Sequence, residues 1–420
     1  MNLRSKPYEA YRVSHNDWVD QIPSEWEEKR VKDLFRLVTD NAPIDNDHEL
    51  LSLYASIGVR PRKDLEARGN KASSTDGYWL VKKGDIVVNK LLAWMGSVGL
   101  SDFDGVTSPA YDVLRKTSKT LDERYFSYLF RTEIAKQIFK KNSRGIMDMR
   151  LRLYFDKLGA ISVPVPPFST QQAIATYIDA KIVQLDRKTD LLGQKAAQYG
   201  KLKQSLINET VTRGLDKNVA MKDSGVEWLG KVPATWSLNR HKDIFKFVSD
   251  RCVNPSLAKI GLENIEGKTG RFIPTESEFD GDGVEFQKDD ILFGKLRPYL
   301  AKVYLAEFNG NAVGDIFVYR PTRSITSYYA KYLMLSERYI DVINSSTVGA
   351  KMPRVSSDFI ANLPVSTPTI SEQQAIANYL DEKTAHIDRI VATLNTQIDQ
   401  LKELRKTLIN DIVTGKIKVV

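Results

Sequence analysis

The sequence predicts a mixed α+β protein: two α/β domains separated by two long helices that pair as an antiparallel coiled coil with approximate two-fold symmetry. Three observations predict it. The chain is written twice, strand-like and helix-like runs are mixed inside each copy, and each copy ends in a long stretch with apolar residues at heptad spacing.

The duplication shows first in WVDQIPSEWEEKRVKDLF, Trp18 to Phe35, which returns as WLGKVPATWSLNRHKDIF, Trp228 to Phe245, at an offset of 210. Trp18, Pro23, Trp26, Arg30, Lys32, Asp33 and Phe35 match Trp228, Pro233, Trp236, Arg240, Lys242, Asp243 and Phe245. A second pair, STQQAIATYIDAKIVQLD from Ser169 and SEQQAIANYLDEKTAHID from Ser371, stands at an offset of 202. The same offset carries LINETVT, from Leu206, onto LINDIVT, from Leu408. The inserts between these markers differ in length by 8 residues and are much less alike, KKGDIV (Lys82 to Val87) against QKDDIL (Gln287 to Leu292) excepted. Drift alone blurs frame and insert equally. A kept frame around diverged inserts fits two copies that read two different things.

Inside the inserts, GDIVVNKLL (Gly84 to Leu92), DDILFGKL (Asp289 to Leu296), AYDVLR (Ala110 to Arg115) and DIFVYR (Asp315 to Arg320) read as strands parted by Gly and Asp turns. The segments Arg124 to Lys141 and Tyr328 to Ile343 carry apolar residues at helical spacing and are each expected as a helix.

Pro166 and Pro167 end the first insert, and Ser169 with Gln172 then has the spacing of a capping box; Ser371 and Gln374 repeat it after Pro368. Neither Pro nor Gly interrupts the following stretch before Gly193 in the first copy and Gly415 in the second. Leu185, Leu192, Tyr199 and Leu206 form the apolar seam of one helix, and Ile387, Val391, Leu394, Ile398, Leu401 and Leu408 that of the other. The linker from Thr212 to Trp228 is too short for the extended return that a parallel pair would need, so the helices are expected to run antiparallel. Gly193 weakens the first rod by about 1 kcal/mol relative to Ala.

Composition narrows the function. The chain has 420 residues, 61 basic against 53 acidic, a net charge of +8 and a pI near 9.1, a modest lean towards a polyanionic partner. Cys252 is the only cysteine, and His15, His48, His241 and His386 lack metal-ligand spacing, so no metal is expected. The start, MNLRSKPYEAYRV, lacks the apolar run of a signal peptide, and no stretch approaches a membrane span; a cytoplasmic location without membrane contact is expected.

Catalytic signatures are near-misses, so no catalytic residue is expected. VPPF at Val165 resembles a methyltransferase loop but has no acceptor side chain at its first position. In GLENIEGKT, five residues separate Gly261 from Gly267, one too many for a phosphate loop. GSVG at Gly96 lacks the third glycine of a dinucleotide site. Asp289 and Asp290 with Lys295 fit a turn and a strand start better than a nuclease cluster.

Basic residues mark where a polyanionic partner would touch. Residues 131–157 hold eight Lys or Arg against three acids. Within them Lys140, Lys141, Arg144, Arg150 and Arg152 surround Gly145, and in the second copy Lys351 and Arg354 follow Gly349. Asn89 and Lys90 align with Gly294 and Lys295, with Arg297 close by. Trp94 and Tyr299 are expected to fill core.

Over nearly its whole length the chain resembles the specificity (S) subunit of type I restriction–modification systems. The resemblance rests on KDSGVEWLGKVPATW (from Lys222), the paired SxQQAIAxY helix starts and the LINxxVT helix ends. LLSLYASIGVRPR (Leu50 to Arg62) and GLENIEGKTGRF (Gly261 to Phe272) add to it. It implies target recognition domains over residues 1–168 and 215–370, each reading one half of an interrupted double-stranded DNA sequence. Residues 169–214 and 371–420 would then be helical spacers that set the distance and dock modification (methyltransferase) subunits. It implies no catalysis and no cofactor of the chain's own. S-adenosylmethionine would come with the modification subunits, and ATP and Mg with the restriction (translocase/endonuclease) subunits. Two other readings stay open at this point: a self-sufficient DNA methyltransferase or nuclease, and a coiled-coil scaffold that binds no DNA.

Overall fold

A computed structural model describes residues 7–54, 57–64, 75–252, 254, 256–276, 279, 281 and 283–419. Residues 1–6 of the N-terminal stretch and residues 55–56 of the Leu50 to Arg62 segment lie outside the described residues. The chain forms two compact units, Met1–Leu191 with Gln397–Val420, and Leu192–Thr396. The division crosses both long helices, so each unit contains one end of each.

The first unit is built on a four-stranded antiparallel sheet in the order Phe35–Leu37, Tyr111–Lys116, Ile86–Asn89, Val98–Leu100. Ile86–Asn89 carries the apolar run Ile86–Val88 without alternation because both of its faces are covered. Residues two apart share a face: Ile86 and Val88 join the main core with Trp26 and Phe126. Val87, on the other face, joins a smaller cluster with Leu51, Val59 and Val113.

The second unit repeats this sheet as Phe245–Val248, Ile316–Pro321, Ile291–Gly294, Val303–Leu305. The register is kept residue for residue: Val113 pairs with Val87, and Val318 with Leu292. Ile291 and Phe293 again enter the main core while Leu292 enters a second cluster. The additions differ, as the diverged inserts lead one to expect. Both units pair a further two strands, Trp79–Val81 with Gly105–Thr107 and Val284–Phe286 with Gly310–Ala312. The first unit adds the hairpin Leu51–Tyr54 with Gly58–Pro61, and the second adds Lys259–Ile260 alongside Gly310–Ala312 as a third strand. His241, in the position matching Val31, is fully buried in the second core and stacks on Phe245 with ring centroids 4.4 Å apart.

Each single helix expected in an insert is two. Thr132 breaks the first, its Oγ1 accepting from Ala135 N at 3.1 Å to start Glu133–Asn142 after Glu123–Leu129. Ser336 separates Ser327–Leu335 from Glu337–Ser345.

The long helices run over Phe168–Arg213 and Ile370–Val413. The first is unbroken through Gly193. The capping boxes expected of Ser169 with Gln172 and Ser371 with Gln374 do not form, because these residues already lie inside the first turn. The first helical bonds run from Gln171 N to Pro167 O, 2.9 Å, and from Gln373 N to Thr369 O, 2.8 Å. The neighbouring glutamines anchor the helix starts instead. Gln171 is buried; it donates to Pro166 O at 2.8 Å and accepts from Asp122 N at 2.9 Å. Gln373, also buried, donates to Pro368 O at 3.0 Å and accepts from Thr326 N at 2.8 Å.

Within each unit the two helical segments run antiparallel. In the first, Asp186 faces Arg405 at 3.4 Å while Ile178 and Val413, in the opposite sense along the two chains, share the core. In the second, Lys203 donates to both oxygens of Asp388 at 2.9 and 2.8 Å, and Val211 shares the core with Leu380. The expected seam is the covered stripe. Ile387, Leu394 and Leu408 are buried, and Leu185, Leu192, Tyr199, Leu206, Val391, Ile398 and Leu401 are half-buried.

Candidate nucleic-acid interface

In both units a loop after the second insert helix folds back on the end of the central strand. In the first unit Arg144 and Arg152 exchange backbone hydrogen bonds, each 2.9 Å, and Leu153 N donates to Lys90 O at 2.9 Å. In the second unit Val348 and Arg354 exchange the same pair at 3.0 Å, and Val355 N donates to Lys295 O at 3.2 Å. A glycine with positive φ follows the first bridging residue each time, Gly145 (150°) and Gly349 (106°). A Cβ on Gly145 would stand 2.5 Å from Arg150 O, so this turn needs glycine.

This architecture gathers most of the expected contact residues. In the first unit it joins Lys90 to Arg144, Arg150 and Arg152. Lys140 and Lys141 lie at the preceding helix end. In the second unit Lys295, Arg297, Lys351 and Arg354 come together: Leu296 bridges to Arg354, Arg297 N donates to Pro353 O at 2.8 Å, and Arg297 Nη2 to Lys351 O at 3.4 Å. Arg297 takes a left-handed conformation, φ 49°, directly before Pro298. Such backbone is held only where its surroundings over-determine it, here by the contacts to the loop.

Asn89 is different. It is 5% exposed, and its Oδ1 accepts from Leu91 N at 2.9 Å, so it caps the turn at the strand end instead of facing a ligand. Tyr299, expected in the core, is 47% exposed on the turn Pro298–Leu300. Trp94 at the matching place is half-buried against the core, with Lys140 Nζ 5.2 Å from its ring centre.

Many of the basic groups have acidic neighbours that are remote in sequence. Lys140 pairs with Asp148 at 2.8 Å, Lys141 with Asp17 at 3.1 Å and Arg144 with Asp156 at 2.9 Å, all exposed. Exposed pairs are worth about 0–1 kcal/mol, so a phosphate can replace the acid. Arg150 and Lys351 are exposed, with no side-chain ion pair found among the described residues. Lys90 reaches Asp112 at 3.5 Å, and burial raises the pKa of that carboxyl against the pull of Lys90. Arg354 grips both oxygens of Asp315 at 3.0 and 2.9 Å, with Lys295 at 3.8 Å from the same carboxylate. The hydrogen bond to Asp315 raises the Arg354 pKa further.

Among the described residues no group of three or more His, Cys, Asp or Glu side chains is placed to hold a metal ion, and no helix is long and apolar enough to cross a membrane.

Residues 23–198 and 261–400 match the type I restriction modification DNA specificity domain. The chain belongs to that family. Its members supply the specificity of a restriction–modification complex and not its catalysis, in line with the role that the resemblance implies. Among specificity-subunit relatives, the chain is 22% identical to the type I restriction enzyme MjaVIII specificity subunit of Methanocaldococcus jannaschii over 422 residues, covering 95% of this chain and 94% of that protein. It is 24% identical to the EcoDI specificity subunit of Escherichia coli over 352 residues, 78% and 77% of the two chains. The fold is similar to that of a chain from a solved type I R-M system studied for its complex assembly and conformational transition, with a TM-score of 0.72 at 14% identity, covering 94% of this chain and 99% of that one. The HsdS subunit from Thermoanaerobacter tengcongensis gives 0.57 at 13%, covering 94% and 98%.

Proposed function

We propose that each unit of this specificity subunit reads one half of an interrupted double-stranded DNA target. In this reading residues 1–168 and 215–370 are the target recognition domains, and residues 169–214 and 371–420 are the spacers. The bridged loop and the strand end beside it form the reading surface. Lys90, Lys140, Lys141, Arg144, Arg150 and Arg152 serve the first unit, and Lys295, Arg297, Lys351 and Arg354 the second. The helices set the distance between half-sites and dock modification subunits, which bring S-adenosylmethionine. Restriction subunits bring ATP- and Mg-dependent chemistry. The observation that carries the reading is the pair of loops. They share a bridge, a glycine turn and a closing arginine, Arg152 or Arg354, yet differ in length and in nearly every other side chain. A kept scaffold with changed contents suits two readers of unlike sequence.

The test is to reconstitute the chain with modification subunits and sequence the DNA that becomes methylated. Replacing residues 245–364 with those of another member is expected to change one half-site and leave the other; a change in both overturns independent reading. Deleting seven residues from each long helix removes about 10 Å of rod and is expected to shorten the spacer by about three base pairs. Altered half-sites in that variant overturn the measuring role.

A further inference from the structure

We infer that the loop of the first unit carries an apolar wedge for duplex DNA: Ile146, with Met147 beside it, enters the base stack and opens one base step. The inference rests on the DNA-reading role proposed above for the same loop.

Ile146 is 100% exposed and Met147 52% exposed, two consecutive apolar residues at a loop apex. They do not fold back on the core because the loop is closed beneath them. The Arg144–Arg152 bridge shuts its base, Gly145 turns the chain, and Arg150 N donates to Met147 O at 2.7 Å. Three arginines, Arg144, Arg150 and Arg152, stand on the stem around this apex. Cations around an apolar tip match an opened base step, whose phosphates lie on either side of the unstacked bases. Branched and long aliphatic side chains are the ones that proteins use to part base steps, and pyrimidine–purine steps yield most easily.

The second unit keeps the pattern with other residues. Val348, 80% exposed, and Met352, 45% exposed, flank the turn at Gly349, and Arg354 closes that loop. Both loops thus expose large apolar side chains beside arginine, with Val348 standing in the closing bridge, where the first loop has Arg144, and Met352 following Lys351 within the loop.

The test places 2-aminopurine in turn at each position of the first half-site, the methylated base excepted, in the complex with modification subunits. We expect fluorescence to rise at one step and that rise to fall at least threefold in Ile146→Ser, with Ile146→Leu restoring it. Since Ile146 touches no core, the Ser variant is expected to fold and assemble normally, as circular dichroism and gel filtration would verify. Unchanged fluorescence in Ile146→Ser overturns the wedge. So does an affinity loss on replacing one thymine by uracil without any fluorescence rise, which assigns the apex to a methyl contact in the groove. Arg150→Ala separates the two levels. If it weakens binding while Ile146→Ser leaves the fluorescence intact, only the wedge fails. If neither variant changes affinity, fluorescence or half-site, the loop does not touch DNA and the DNA-reading role of this loop falls with it.

Discussion

Asp290 accepts two hydrogen bonds from Arg320, from Nε at 2.8 Å and from Nη2 at 2.7 Å, and Asp85 holds Arg115 in the same way at 2.8 and 2.6 Å. Each aspartate is buried at the mouth of the central strand, where it also accepts from the backbone of the preceding turn, Gln287 N or Lys82 N, at 2.8 Å. The pair thus ties the strand start to its neighbour, Tyr111–Lys116 or Ile316–Pro321. Removing one partner of such a pair leaves the other uncompensated. Asp290→Ala is expected to destabilise the second unit by about 3 kcal/mol, read as a lower midpoint in urea unfolding.

His241 makes the second unit sensitive to acid. Burial pushes its pKa from 6.5 down to about 3, and neither ring nitrogen has a hydrogen-bond partner among the described residues. The unfolded chain takes up a proton near pH 6.5 while the folded chain stays neutral, so stability is full above pH 6.5 and falls as the pH drops towards 3. At pH 5 the loss from this residue is about 2 kcal/mol. His241→Val, which installs the residue of the matching position Val31, is expected to remove that share. Urea unfolding of both proteins at about pH 7.5 and 5 checks it: equal losses in the two would refute the assignment.

Asp289 occupies left-handed backbone at φ 72°, where the first copy has Gly84 at φ 91°. A side chain in that region is strained, though least for Asp and Asn. Asp289→Gly is expected to stabilise the second unit by about 0.5 kcal/mol, the gain being trimmed by the extra freedom of glycine when unfolded. A thermal melt that moves downwards would contradict it.

Arg150 is an exposed arginine of the first loop with no acidic partner found among the described residues. If it contacts a phosphate, Arg150→Ala weakens binding similarly for all sequences and lowers the slope of log Kd against log salt by about 1. If it reads a base, discrimination at one position relaxes instead. Titrations at three salt concentrations, on target and scrambled duplexes, separate these results.

Much of the frame is legible in the sequence. Trp26 and Trp236, the seam from Leu185 to Leu408 and the four central strands all announce themselves through repetition and period, because burial of a face leaves a regular trace along the chain. What stays hidden depends on partners distant in sequence. Gln171 and Gln373 look like ordinary first-turn residues until Asp122 and Thr326 arrive beside them. Asn89 has the chemistry of a base reader but spends it on a turn. Nothing around Asp315 hints that it collects both Arg354 and Lys295, nor around Asp17 that it meets Lys141. Charge density marks the loops correctly as basic, yet the split between paired and unpaired cations is a tertiary property. Thr132 breaks an insert helix because its side chain competes for the backbone, an effect that apolar spacing does not register.

The core of the first unit includes Leu408, Ile412 and Val413, and Tyr11 donates to Gly415 O at 3.2 Å. Residues from the two extremes of the chain therefore finish one hydrophobic interior, while the second unit is a single uninterrupted stretch. During synthesis the later-encoded unit has all of its parts first, and the earlier-encoded one waits, incomplete, for residues 397–420 to leave the ribosome. A premature stop shortly after Thr396 would spare the unit nearer the stop and unmake the one farther away.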